Sequence, residues 1–125
     1  MPRKKSTQVY ELAKKIAELS LVKKAENVVI LDLRKLTTMT DFFVICSGDS
    51  DKQVMAITDA ISDGLEEEKI KPWHTEGQNT GTWILMDFID IVVHIFHKDS
   101  RDFYKLDELW GDAEITYIKD NNNEN

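Results

Sequence analysis

The sequence predicts an α/β domain, a mixed β-sheet with helices packed on it. Three observations lead there. Apolar residues recur at helical spacing in two separate stretches. Four short runs rich in β-branched and aromatic residues have the length of strands. The order is helix, two strands, helix, then mostly strands, and neither kind of element can bury its apolar side alone.

Val9, Leu12, Ala13, Ile16 and Ala17 keep the helical period. They predict an amphipathic helix over residues 7–22, with Glu11, Lys14, Lys15 and Glu18 on its wet side. Residues 28–33 (VVILDL) read as a buried strand. Residues 37–41 make a polar connection to a second strand over residues 42–47 (FFVICS). The short link permits antiparallel pairing of the two.

Residues 47–50 (SGDS) form a turn into a helix. Ser50 followed by Gln53 matches a capping box, in which each side chain meets an otherwise unpaired backbone N–H. Val54, Ile57, Ile61 and Leu65 then make the apolar stripe of a helix over residues 51–69. Gly64 weakens it slightly, and Pro72 blocks any continuation. The path from the second strand through this helix fits a right-handed crossover.

Residues 73–76 read as a short edge strand before the turn at 77–81 (GQNTG). Residues 83–88 and 91–96 are strands, and the Ile89-Asp90 link between them is too short for anything but a hairpin. Asp99 or Ser100 caps a short helix ending near Lys105, and a turn follows over residues 106–110. Residues 114–118 form a last strand or an ordered tail. Residues 1–119 make a single domain, and residues 120–125 (DNNNEN) are expected to be disordered.

A length of 125 residues with 42% hydrophobic composition supplies one core. No apolar run approaches the roughly 20 residues of a membrane helix. The basic start, MPRKKSTQ, is not followed by a signal-type apolar stretch. A cytoplasmic location is expected. The lone Cys46 sits in an apolar run and reads as a buried, reduced thiol.

Charge is unevenly spread. The net charge is −7, yet residues 1–24 hold seven Lys/Arg against two Glu, a local balance of +5, so the remainder sums to −12. An acidic body argues against DNA or RNA as the main contact, because phosphates need a basic face. It suits a basic protein partner, and it equally serves solubility.

Little in the chain has the pattern of catalysis. His94 and His97 are three apart, which in a strand places them on opposite faces, so a metal site is not expected. His94 reads as a core histidine with a hydrogen bond. Ser47-Gly48 before a helix, with Asp87 and Asp90, loosely suggests a nucleotidyltransferase. The two carboxylates have the wrong spacing for one face, and Asp90 lies where a hairpin turn wants a polar residue. No P-loop, dinucleotide fingerprint or nucleophile arrangement is present. What stands out is the stretch from Trp83 to Trp110, where apolar runs give way to Arg101, Phe103, Tyr104, Lys105 and Trp110. Such mixtures are typical of macromolecular interfaces. Some of these aromatics belong to the core, and periodicity alone does not divide them.

At these residues the sequence closely resembles the ribosomal silencing factor family, also called Iojap-like. The resemblance rests on TDFFVICSGDSDKQVMAI (residues 40–57), Glu76-Gly77 and WILMDFIDIVVHIFHKDSRDFYKLDELW (residues 83–110). It covers about residues 7–113. Ile89 departs from the glycine that the family pattern has between Phe88 and Asp90.

The resemblance implies a sheet like that of nucleotidyltransferases without the catalytic set, no enzymatic activity and no cofactor. It implies a translational repressor that binds the large ribosomal subunit through large-subunit ribosomal protein fourteen. The bound domain would block joining of the small subunit by its bulk and lower translation when nutrients are short. Homodimers in the family imply a capacity for self-association. The basic first helix is expected to present a solvated face, with at most a minor contact to ribosomal RNA. The residues that the resemblance places at or behind the partner-binding surface are Trp73, Glu76, Trp83, His94, Phe96, Arg101, Tyr104, Leu109 and Trp110. Among them Arg101 would donate hydrogen bonds, Tyr104 and Trp110 would fill pockets, and Trp83 and His94 would support from the core. Two other readings stay open, a large-subunit assembly factor and a nucleotidyltransferase-type enzyme.

Overall fold

The two apolar helix stripes meet the same side of one sheet. The computed structural model describes residues 6–100 and 110–119. The elements run α1 (Ser6–Val22), β1 (Glu26–Asp32), β2 (Phe42–Gly48), α2 (Asp51–Glu66), β3 (His74–Glu76), β4 (Trp83–Asp87), β5 (Ile91–His97), a 3-10 turn (Lys98–Ser100) and β6 (Glu114–Ile118). The six strands lie in the order β3-β4-β5-β2-β1-β6. Only β2 and β5 pair in parallel, and the other neighbours are antiparallel. The sheet is therefore mixed, as the sequence predicts, and residues 114–118 are a strand at its edge rather than a tail.

The period-2 alternation of strands splits the sheet's side chains between two faces. On one face Val28, Ile30, Phe42, Val44, Cys46, Ile84, Met86, Ile91, Val93 and Ile95 join Val9, Ala13, Ile16 and Ala17 of α1 and Val54, Ile57, Ile61 and Leu65 of α2 in one buried cluster. Each fully buried Ile or Leu there contributes about 1.5–3 kcal/mol. Gly64, which costs α2 some helical propensity, lies where the two helices cross. A Cβ on it would stand 2.5 Å from Leu19 Cδ2, so its bare backbone permits the close approach. Cys46 sits at the centre of this face and is fully buried.

Local chemistry sets the helix ends. Ser50 Oγ accepts from Gln53 N–H at 3.1 Å, as the capping box requires. The return bond from the Gln53 carboxamide goes to Asp49 N–H rather than to Ser50. Gln53 Nε2 also donates to the carbonyls of Lys23 and Lys24 at 2.9 and 3.1 Å, fastening the start of α2 to the end of α1. α2 stops at Glu66, three residues short of the expected end. Lys69 takes a left-handed φ of 62°, and its N–H and that of Ile70 bond back to Glu66 and Leu65. This is a Schellman stop, with Ile70 packing against the core. α1 ends the same way, with Lys24 at φ 65°.

The β4–β5 hairpin forms as predicted, with a tight link. Phe88 N–H donates to the Ile91 carbonyl at 2.8 Å, and Asp90 N–H donates to the Phe88 carbonyl at 2.9 Å. Ile89, between them, has φ 76°. That bond across three residues at positive φ marks a strained γ-turn, which a β-branched residue rarely adopts. A 3-10 turn spans Lys98–Ser100. The short helix expected after Asp99 or Ser100, the turn at 106–109 and residues 120–125 lie outside the described residues.

Candidate partner-binding groove on the second face of the sheet

Among the described residues no helix covers the second face of the sheet. Cross-strand register places its side chains in rows. One row runs Glu76, Leu85, His94, Ile45, Val29 and Tyr117 across β3, β4, β5, β2, β1 and β6. The next runs His74, Asp87, Val92, Phe43, Leu31 and Ile115. The two halves of this face differ. Toward β1 and β6, Val29, Leu31, Leu33, Ile45 of β2 and Phe96 of β5 form a second buried cluster, with Phe43, Trp110, Ala113 and Ile115 packed against it. On the β3, β4 and β5 side a groove of about 610 Å³ opens.

Phe43, Leu85, Val92 and His94 line the groove from the sheet, and Thr37, Met39 and Thr40 from the β1–β2 connection. Trp73, Asp87, Ile89 and Trp110 complete it. Met39, Trp73 and Ile89 are 85%, 73% and 57% exposed. Three large apolar side chains thus gather in water around one concave apolar site, a pattern that marks interaction surfaces.

His94 is 4% exposed. Its ring stands edge-on to Phe43 at 4.5 Å between centroids. Trp83 Nε1–H donates to His94 Nδ1 at 3.2 Å. Burial drives the His94 pKa down to about 4, so the ring is neutral at physiological pH. Trp83, 42% exposed, also stacks on the fully buried Phe96 with centroids 5.1 Å apart and planes 22° apart. The groove thus has a stacked aromatic base of Trp83, Phe96 and His94.

The structure brings together many of the residues singled out in sequence. Trp73 and Trp110 line the groove directly, Trp110 edge-on to Phe43 at 6.1 Å. His94 lines its floor, and Trp83 and Phe96 support it. Glu76 lies at the outer strand of the same face, exposed, with its carboxylate 2.7 Å from His74 Nε2. Gly77 follows at φ 91°, where a Cβ would run into the Trp83 carbonyl oxygen. Arg101, Tyr104 and Leu109 lie outside the described residues. Thr37, Met39, Thr40, Phe43, Leu85 and Val92 were not singled out. Alternation within the strands would have found Phe43 and Val92 as partners of His94 on one face, but no local signal marks Met39 or Thr40.

The catalytic alternative finds little support in the geometry. Asp87 Oδ1 accepts from Ile89 N–H at 2.7 Å, so this carboxylate shapes the hairpin turn. That role was expected of Asp90, which instead uses its carbonyl to accept from Asp41 and Phe42 N–H. His97 pairs with Gly48 at the end of β5, its Nδ1 accepting from Asp99 N–H, on the face opposite His94. Among the described residues no group of three or more His, Cys, Asp or Glu is placed to hold a metal ion. No helix among them is long and apolar enough to cross a membrane.

Residues 6–125 match the family model for "Ribosomal silencing factor during starvation". The chain is 45% identical over 93 residues to a protein of Bacillus subtilis named ribosomal silencing factor RsfS, covering 74% of this chain and 79% of that one. A crystal structure from Chromobacterium violaceum superposes with a TM-score of 0.78 at 29% identity, covering 90% of this chain and 93% of that one. Another from Bacillus halodurans gives a TM-score of 0.72 at 36% identity, covering 91% and 99%.

Proposed function

The chain belongs to the ribosomal silencing factor family, and from that premise we propose that it represses translation by occupying the large ribosomal subunit. The domain docks on large-subunit ribosomal protein fourteen and, by its bulk, keeps the small subunit from joining. No chemistry is needed, only affinity and position, and the protein acts in the cytoplasm as a non-enzyme.

One observation carries the docking site, the gathering of exposed Met39, Trp73 and Ile89 around a concave apolar groove. Aromatic anchors seated in an apolar depression are the usual centre of a binding surface. The net charge of −7 complements a basic ribosomal protein and speeds encounter. Trp73 and Trp110 provide contact area, Trp83, His94 and Phe96 hold the floor, and Glu76 sits at the rim. Arg101, Tyr104 and Leu109 belong to the same proposed surface. Self-association and a minor contact of α1 with ribosomal RNA are secondary features of this reading.

Co-sedimentation with purified large subunits tests the site. Trp73 is mostly in water, so Trp73→Ala leaves the melting temperature unchanged and weakens binding by tenfold or more, the loss of a hot-spot side chain. Undiminished binding by this variant would remove the groove from the account.

A further inference from the structure

Two residues that line the groove each hold a buried polar atom without a partner among the described residues, His94 Nε2 and Thr40 Oγ1. The Trp83 indole can only donate, so His94 Nδ1 must be its acceptor. The ring is neutral, so its single proton sits on Nε2. The hydrogen bond from Trp83 therefore turns the groove floor into an obligate N–H donor. Leaving such a donor buried and unpaired is costly. Ser47 Oγ is also buried without a partner among the described residues, but Ser47 does not line the groove. Convergence in one groove, rather than the lack of a partner, sets the other two apart.

The rest of the lining is apolar apart from Thr37 and Asp87, with Phe43, Leu85, Val92 and Trp110 forming most of the floor and walls. An occupant must therefore be mostly apolar, with an acceptor for His94 and one hydrogen-bonding group for the Thr40 hydroxyl. A peptide group beside an apolar side chain supplies both. Charge decides among possible occupants. A nucleic acid brings phosphates to an acidic chain, and a second copy brings another −7. A basic protein brings the complementary sign, and Asp87 at the groove adds a local negative charge for it.

Resting on the docking reading above, we infer that the groove receives a main-chain segment of the basic ribosomal partner, its carbonyl accepting from His94 Nε2–H, its backbone pairing with Thr40 Oγ1, and an apolar side chain between them. A rotamer-scale shift of the groove wall admits it, as is common at interfaces.

The test measures affinity for purified large subunits, and the melting temperature of the free protein, for wild type, His94→Phe and Thr40→Val. Thr40→Val keeps the shape of its side chain and removes the hydroxyl, and His94→Phe keeps an aromatic ring and removes both ring nitrogens. Each is expected to bind roughly tenfold more weakly. Thr40→Val does so without a fall in melting temperature, because its hydroxyl has no partner among the described residues, whereas His94→Phe also frees the Trp83 indole N–H and lowers the melting temperature slightly. Wild-type affinity in both variants overturns the inference while leaving the docking reading standing. Affinity of Thr40→Val that falls only in step with its melting temperature assigns the residue a structural role and also overturns it. Failure of the wild type to bind large subunits overturns the docking reading and this inference together.

Discussion

Trp83 Nε1–H donates to His94 Nδ1 at 3.2 Å, linking two strands and fixing which nitrogen of the imidazole carries the proton. One bond between residues eleven apart in sequence thereby defines the polarity of the groove floor. It also fixes the cost of charging His94, because protonation would place a positive charge on a ring wedged between Phe43 and Trp83.

That cost predicts a pH dependence. Burial lowers the His94 pKa from 6.5 to about 4. Below pH 6.5 the unfolded chain takes up a proton that the folded chain does not. The stability contribution is therefore fully present above pH 6.5 and is lost as pH falls to about 4, a change of roughly 3 kcal/mol. Carboxylates titrate in the same range, so the comparison is with His94→Phe. Denaturant unfolding at several pH values should show the wild type losing stability relative to this variant between pH 6.5 and 4. Parallel curves would contradict the assignment.

Ile89 has a strained backbone at an exposed hairpin turn. Glycine adopts positive φ without that strain, at some cost in unfolded-state entropy. Ile89→Gly should stabilise the fold by roughly 1 kcal/mol, a rise of a few degrees in melting temperature. A lower melting temperature would mean that the Ile89 side chain contributes packing that outweighs the strain.

Cys46 is fully buried and its pKa is pushed up to about 12 by burial, a nearby Ser20 hydroxyl opposing the shift only in part. The thiolate is the reactive form. A thiol-reactive aromatic disulfide at pH 8 should leave the native protein unlabelled and react fully in denaturant. Rapid labelling of the native chain would show that the core opens far more readily than this packing implies.

Much of the fold was legible in sequence because its signals are local. The stripes at Val9–Ala17 and Val54–Leu65 are helix periods, and the β-branched runs have strand length. Gly77 and Pro72 punctuate the chain where it turns. The end of α2 was missed because a lysine, Lys69, takes the left-handed stop that glycine usually occupies. The groove was only half legible. Trp73, Trp83, His94 and Trp110 stood out by residue type, but their meeting depends on both helices choosing one face of the sheet. Met39 and Thr40 join them through the long-range pairing of β2 with β5, which no window of sequence encodes. The turn role of Asp87, against the expected Asp90, follows from a bond direction that spacing does not give.

Subunit joining tests the central proposal most directly. Purified large subunits would be mixed with the wild-type protein or Trp73→Ala before small subunits are added, and the products separated on a sucrose gradient. The account predicts that the wild type migrates with large subunits and depletes joined ribosomes, and that Trp73→Ala does so only at tenfold or higher concentration. Joined ribosomes forming in full while the wild-type protein sits on the large subunit would contradict steric repression.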